Sequence, residues 1–195
     1  MTIETHTDAV AGLVPPAGRP IRVLAWLLAL GSIAFAVVNV VFEMTGRFEE
    51  GPLSEYETGL TILNWFVAAL KVLGAGIAVL SVAKHSRINA RFVNVLIWGA
   101  AGTLGVYSLG NIVQVVGLVA DPASSGQVDF AGIVYVVGFL LAGAGFVVVA
   151  ISHTRRSGLG VGPAILGAVG GVILLGVILV ALPALLTALG IMPSG

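Results

Sequence analysis

Cysteine is absent from the 195 residues, which excludes disulfides, thiolate metal sites, iron–sulfur clusters and cysteine nucleophiles. Charge is scarce. Asp, Glu, Lys and Arg together make up 9% of the chain, where a globular domain carries about a quarter. Nine basic residues balance nine acidic ones, so no surplus of either sign marks a nucleic-acid partner. Histidine occurs only at His6, His85 and His153, all read as lying in tails or turns. Their spacing does not match a metal-ligand set, and neither a metal nor another cofactor is expected. Against these absences stand 58% apolar residues and a mean hydropathy of +1.09. So few charges cannot coat a soluble particle of this size. The solvent for most of the chain is lipid.

A hydrocarbon core of about 30 Å takes roughly 20 apolar residues of helix. Five stretches qualify: Ile21–Phe42, Leu60–Val82, Phe92–Ala120, Phe130–Ser152 and Ala164–Gly190. Backbone groups in hydrocarbon must be satisfied within their own segment, and the runs lack the alternation of a lipid-facing strand. The expected fold class is therefore all-α, a bundle of five transmembrane helices over residues 21–190. Residues 1–20, with three prolines, read as a mobile cytoplasmic tail, and 191–195 as a short outer tail. Ala34-Phe35-Ala36 has the small-residue look of a signal-peptide cleavage site, but the apolar run continues through Phe42, so the first span is expected to be retained.

Orientation follows the basic residues. Arg19, Arg22, Lys84, Arg87, Arg91, Arg155 and Arg156 fall on one side. Glu43, Glu49, Glu50, Glu55, Glu57, Asp121 and Asp129 fall on the other, with Arg47 among them. An N-inside, C-outside protein of the cytoplasmic membrane is predicted, its glutamates on a solvated outer loop. Trp26 and Trp98 near one boundary and Trp65 near the other form an ordinary aromatic belt.

Small residues punctuate the spans. Gly167 and Gly171 make a small-xxx-small step in the fifth helix, facing either the rest of the bundle, a second copy or a partner membrane subunit. Pro163 suits a first helical turn, whereas Pro183 should kink the helix or end its regular part. The glycines from Gly158 to Gly162 lack the strand and the Lys-Ser/Thr of a phosphate loop and read as a turn.

Polar residues inside the spans are the functional signal. Lys71 falls at the centre of the second span, where an amine is costly and marks a site by default. Asn64 lies two turns away on the same face. In the third helix Tyr107, Asn111 and Gln114 recur at steps of four and three, with Ser108 beside them. Asn39 in the first helix and Tyr135 in the fourth fall in the same outer half, and Glu43 follows Asn39 by one turn. These residues are expected to form one inward-facing polar layer. No acid lies within the core, so Lys71 must bond to an Asn, Tyr107 or Ser108, lose its proton, reach a water-filled cavity, or hold an anionic ligand.

Asn39-Val40-Val41-Phe42 followed by Gly46, together with Leu109-Gly110-Asn111, resembles a family of small actinobacterial integral membrane proteins of unknown function. In that family His-x-x-Trp and Gly-Gly stand at the first element and Gly-Asp at the second, so Asn39, Phe42 and Asn111 are substitutions here. The resemblance reaches over the first four helices. It implies residence in a bacterial membrane and no known chemistry.

Three functions follow. The first is a binding or accessory subunit, in contact with membrane lipid, that holds a small or lipophilic ligand through Asn39, Asn64, Lys71, Tyr107, Ser108, Asn111, Gln114 and Tyr135. The second is a membrane-embedded enzyme acting on a lipid or isoprenoid, with Glu43, Lys71 and Tyr107 as acid–base groups. The third is a small transporter or channel with Lys71 as its coupling or selectivity residue.

Overall fold

The computed structural model describes residues 14–49, 51–83, 88–120 and 130–193. Helix α1 spans Arg19–Met44, a 3-10 turn covers Gly51–Tyr56, and α2 runs over Glu57–Val82. Helix α3 covers Ala90–Ala120 and α4 Phe130–Ser157. Helix α5, Val161–Gly176, continues through a π-helical turn at Val177–Ala181 into α6, Leu182–Ala188. No strand occurs among the described residues. Five helical stretches, the last running from α5 into α6, are long and apolar enough to cross a membrane.

The helices outrun the apolar stretches. Intrahelical hydrogen bonding does not stop where hydrophobicity does, so α1 gains Glu43 in its last turn and α2 starts at Glu57. Glu55 sits in the 3-10 turn. The expected acidic loop is thus mostly regular structure, and Glu57 in the first turn of α2 suits the positive end of the helix dipole. What stops α1 is Gly46, at φ 60°. The Arg47 amide donates to the Phe42 carbonyl at 3.0 Å and the Gly46 amide to Glu43 at 3.2 Å. That is a Schellman cap, which needs a left-handed residue and so favours glycine. At Pro183 the missing N–H and the ring would disturb an α-helical ladder. The chain widens into the π turn just before it, so the helix continues instead of breaking.

Helix α4 is the hub. Its Gly145 faces Leu28 of α1, Gly143 faces Leu104 of α3, and Phe146 faces Gly74 of α2. Helix α5 packs along α3. A methyl group added at Gly167 or Gly171 would strike the backbone carbonyls of Val95 and Gly99. Thr103 also donates to the Gly171 carbonyl at 2.9 Å. The small-xxx-small step is therefore occupied inside the chain by α3.

The two ends of the bundle differ. At the basic end Arg156 donates to the carbonyls of Pro15 at 2.8 Å and Ser81 at 2.9 Å. The His153 ring nitrogens lie 3.0 Å from the Ser81 carbonyl and 3.3 Å from that of Ala90. Trp98 donates to Thr154 at 2.9 Å, and Thr154 to Asn94 at 2.7 Å. His153 is thus no turn residue: it is buried in α4, because that helix runs on to Ser157. His6 and His85 lie outside the described residues. Residues 14–18 are part of this knot, Ala17 being buried in the core. The same core holds Ala25, Leu28, Ala75, Ala78, Ile97, Ala101, Phe146 and Val149. All belong to the basic half, where small side chains let the backbones close up.

Candidate functional site

Depth is fixed by the basic-end knot. Measured from Ser81 at about 1.5 Å per residue, Lys71 lies about 15 Å along α2 and Asn64 about 25 Å. Thr61 lies about 30 Å along, at the acidic boundary. Side chains on a helix tilt toward its N-terminus. On α2 that direction is toward the acidic end, and on the antiparallel α1 it is toward the basic end. Lys71 therefore leans up and Asn39 leans down, and they meet.

The contacts form a continuous polar chain. The Lys71 amine donates to Asn39 Oδ1 and, at 3.3 Å, to the Phe35 carbonyl. Asn39 Nδ2 donates to Asn64 Oδ1 at 2.7 Å, and Asn64 Nδ2 returns a bond to the Asn39 carbonyl at 2.8 Å. Asn64 Nδ2 also reaches Glu43 Oε1 at 2.8 Å, while Thr61 donates to Glu43 Oε2 at 3.1 Å. Every member sits on α1 or α2. The hairpin satisfies its own polar groups, and two reciprocal amides separate the amine from the carboxylate. Asn39 and Asn64 are buried, and Lys71 is partly buried.

Beside this chain stands an aromatic cluster from three helices. The Lys71 nitrogen lies 5.7 Å from the centre of the Phe35 ring. Phe35 packs on Tyr135 at 5.8 Å and on Phe139 at 5.2 Å, and Phe139 packs on Tyr107 at 5.0 Å. Tyr135 packs on Phe139 as well, at 4.6 Å. Tyr135 is 40% exposed on the outer surface of α4.

Of the expected layer, then, Asn39, Asn64 and Lys71 touch directly, and Tyr107 and Tyr135 join them through Phe35 and Phe139. The others do not converge. Asn111 turns back to the Tyr107 carbonyl of its own helix at 3.0 Å. Gln114 is exposed. By helical rise they stand about 30 and 36 Å from Ala90, at or beyond the far boundary of a bilayer. The centre of the apolar run was a poor guide to depth because α3 overshoots. Ser108 is buried, but its hydroxyl has no hydrogen-bond partner among the described residues. Glu43, Lys71 and Tyr107 do not meet as an acid–base set: the Asn39–Asn64 pair stands between the first two, and Tyr107 belongs to the aromatic cluster. Thr61, Phe35 and Phe139 escaped the sequence reading, although helical spacing from Asn64, Asn39 and Tyr135 would have found them. Among the described residues no group of His, Asp and Glu could hold a metal.

No protein-family model, curated protein or solved structure matches the chain.

Proposed function

We propose that the chain is a multi-pass protein of a bacterial cytoplasmic membrane, its basic end inside, acting as a binding or accessory subunit. It holds a small or lipophilic ligand in the acidic half of the bundle. The observation that carries this reading is Lys71: an amine at mid-span, partnered by an amide oxygen and a carbonyl, beside an aromatic cluster that reaches the lipid-facing surface. Fastening two helices does not require an amine, which costs about 3 kcal/mol to insert at that depth. The dispersed positions of Glu43, Lys71 and Tyr107 favour binding over the enzyme reading, and a polar chain that ends at Lys71 instead of crossing the basic half favours binding over transport. The orientation rests on Arg19, Arg22, Arg91, Arg155 and Arg156 gathering at one end.

The test is ligand retention. Purified wild-type protein and Lys71→Met are extracted with solvent, and the extracts are compared by mass spectrometry. An amphiphile enriched over bulk lipid in the wild type and lost from the variant is expected. Identical extracts, neither differing from bulk lipid, would end this reading.

A further inference from the structure

Resting on the binding reading above, the geometry points to a ligand class: we infer that the site takes a single-chain lipid carboxylate, with its head at Lys71 and its chain along the aromatic cluster. The argument starts from donors and acceptors. The acceptors facing Lys71, Asn39 Oδ1 and the Phe35 carbonyl, are already engaged by it. As an ammonium Lys71 has three N–H groups, so one is left over. What borders Phe35 therefore has a spare donor, and its complement is an acceptor.

Charge narrows the class. Among the described residues the acid nearest Lys71 along the polar chain is Glu43, held beyond both amides by Asn64 and Thr61. Lys71 has a hydrogen-bonded link to that carboxylate but no contact with one. In a low-dielectric surrounding a cation so placed favours an anion over a neutral carbonyl. Size narrows it again. A phosphate dianion would bring three oxygens to a single spare N–H, whereas a carboxylate brings two. The remaining surface is hydrocarbon: half-buried Phe35 offers a ring face over buried Phe139, and Tyr135, at 40% exposure, opens the cluster sideways to lipid. A polar head that must stop at mid-span, with an apolar body that can stay in the bilayer, describes a fatty acid.

The chain supplies its own control, because Lys71 and Lys84 are its only lysines. Full-length protein in nanodiscs of zwitterionic lipid is treated with acetic anhydride, with or without sodium oleate, methyl oleate or oleoyl lysophosphatidic acid. Acetylation of each lysine is followed by peptide mass spectrometry. Oleate should slow modification of Lys71 at least fivefold relative to Lys84, and the other two lipids less than twofold. Equal protection by methyl oleate would overturn the carboxylate while leaving a lipophilic site standing. Stronger protection by the lysophosphatidic acid would assign the head to phosphate and likewise overturn it. No protection by any of the three would remove the carboxylate inference, and the solvent extraction would then decide the binding reading by itself. Lys71→Gln gives a second measure: its binding of radiolabelled oleate should fall at least tenfold while its binding of methyl oleate is unchanged. Unchanged oleate binding there would overturn the assignment.

Discussion

The basic and acidic halves of this bundle are built from the same helices and on different terms. In the basic half, alanines on α1, α2 and α3 bring four helices around Phe146 and Val149, and His153 and Arg156 are tied to backbone carbonyls at helix ends. In the acidic half no continuous core forms. Two helices are joined by a polar chain, three by tilted and edge-on rings, and the last third of α3 is largely exposed, with Val113 at 72%. Lipid is as apolar as leucine, so burial alone drives no helix together there; close packing and hydrogen bonds do. One half is thus packed as a scaffold. The other keeps exposed aromatic surface beside the partly buried Lys71 amine.

Phe146 and Phe139 make the sharpest test of that contrast, being the same residue two turns apart on α4, at 1% and 8% exposure. Phe146→Ala should lower the free energy of unfolding in mixed micelles by about 3–5 kcal/mol, the usual range for a fully packed ring. Phe139→Ala should cost less than half as much, since lipid can follow into an open cluster. Equal losses would mean that the halves are packed alike. Next in size is Gly171→Ile, expected to cost about 1–3 kcal/mol because α5 must lift from α3. Gly176→Ile, one turn and a half further on and facing open space, should be near neutral, and the two are compared by the same unfolding measurement. His153→Leu follows at about 1–3 kcal/mol, from stranding the Ala90 carbonyl in the basic-end knot. Gln114→Leu at the exposed end of α3 is expected to leave unfolding unchanged.

These contrasts also mark what could be read from the residues. Helix number and the segregation of charge by end follow from hydropathy and rise, because lipid leaves a backbone few options. Asn39, Asn64 and Lys71 were legible together because helical spacing fixes faces, and two antiparallel neighbours share depth. Asn111 and Gln114 share a face with Tyr107 but lie beyond the layer, because α3, at 31 residues, is longer than the bilayer is thick. The basic-end knot was hidden for another reason. His153, Thr154 and Arg156 bond to backbone carbonyls and to residues on other helices, and no spacing along one chain announces which carbonyls are in reach. Glu43 lay between the two cases: one turn from Asn39, yet past the end of the hydrophobic run, where a helix had no compositional reason to continue.

The smallest non-zero effect concerns the polar chain itself. Bonds of this sort between membrane helices average about 0.6 kcal/mol in double-mutant cycles. Asn39→Leu and Asn64→Leu should each destabilise by an amount of that order, and the pair together by less than the sum, because each amide's loss already idles the other. Asn39→Leu should be the larger, since it strips Lys71 of its amide partner. If the cycle closes with no coupling, the α1–α2 hairpin owes nothing to its amides, and the aromatic rings alone hold the acidic half. If coupling reaches the scale of a core substitution, the acidic half is a scaffold too. A small value of the predicted size leaves the amides in their other role: holding Lys71 in place, with one hydrogen unspent, and keeping the Glu43 carboxylate from reaching it.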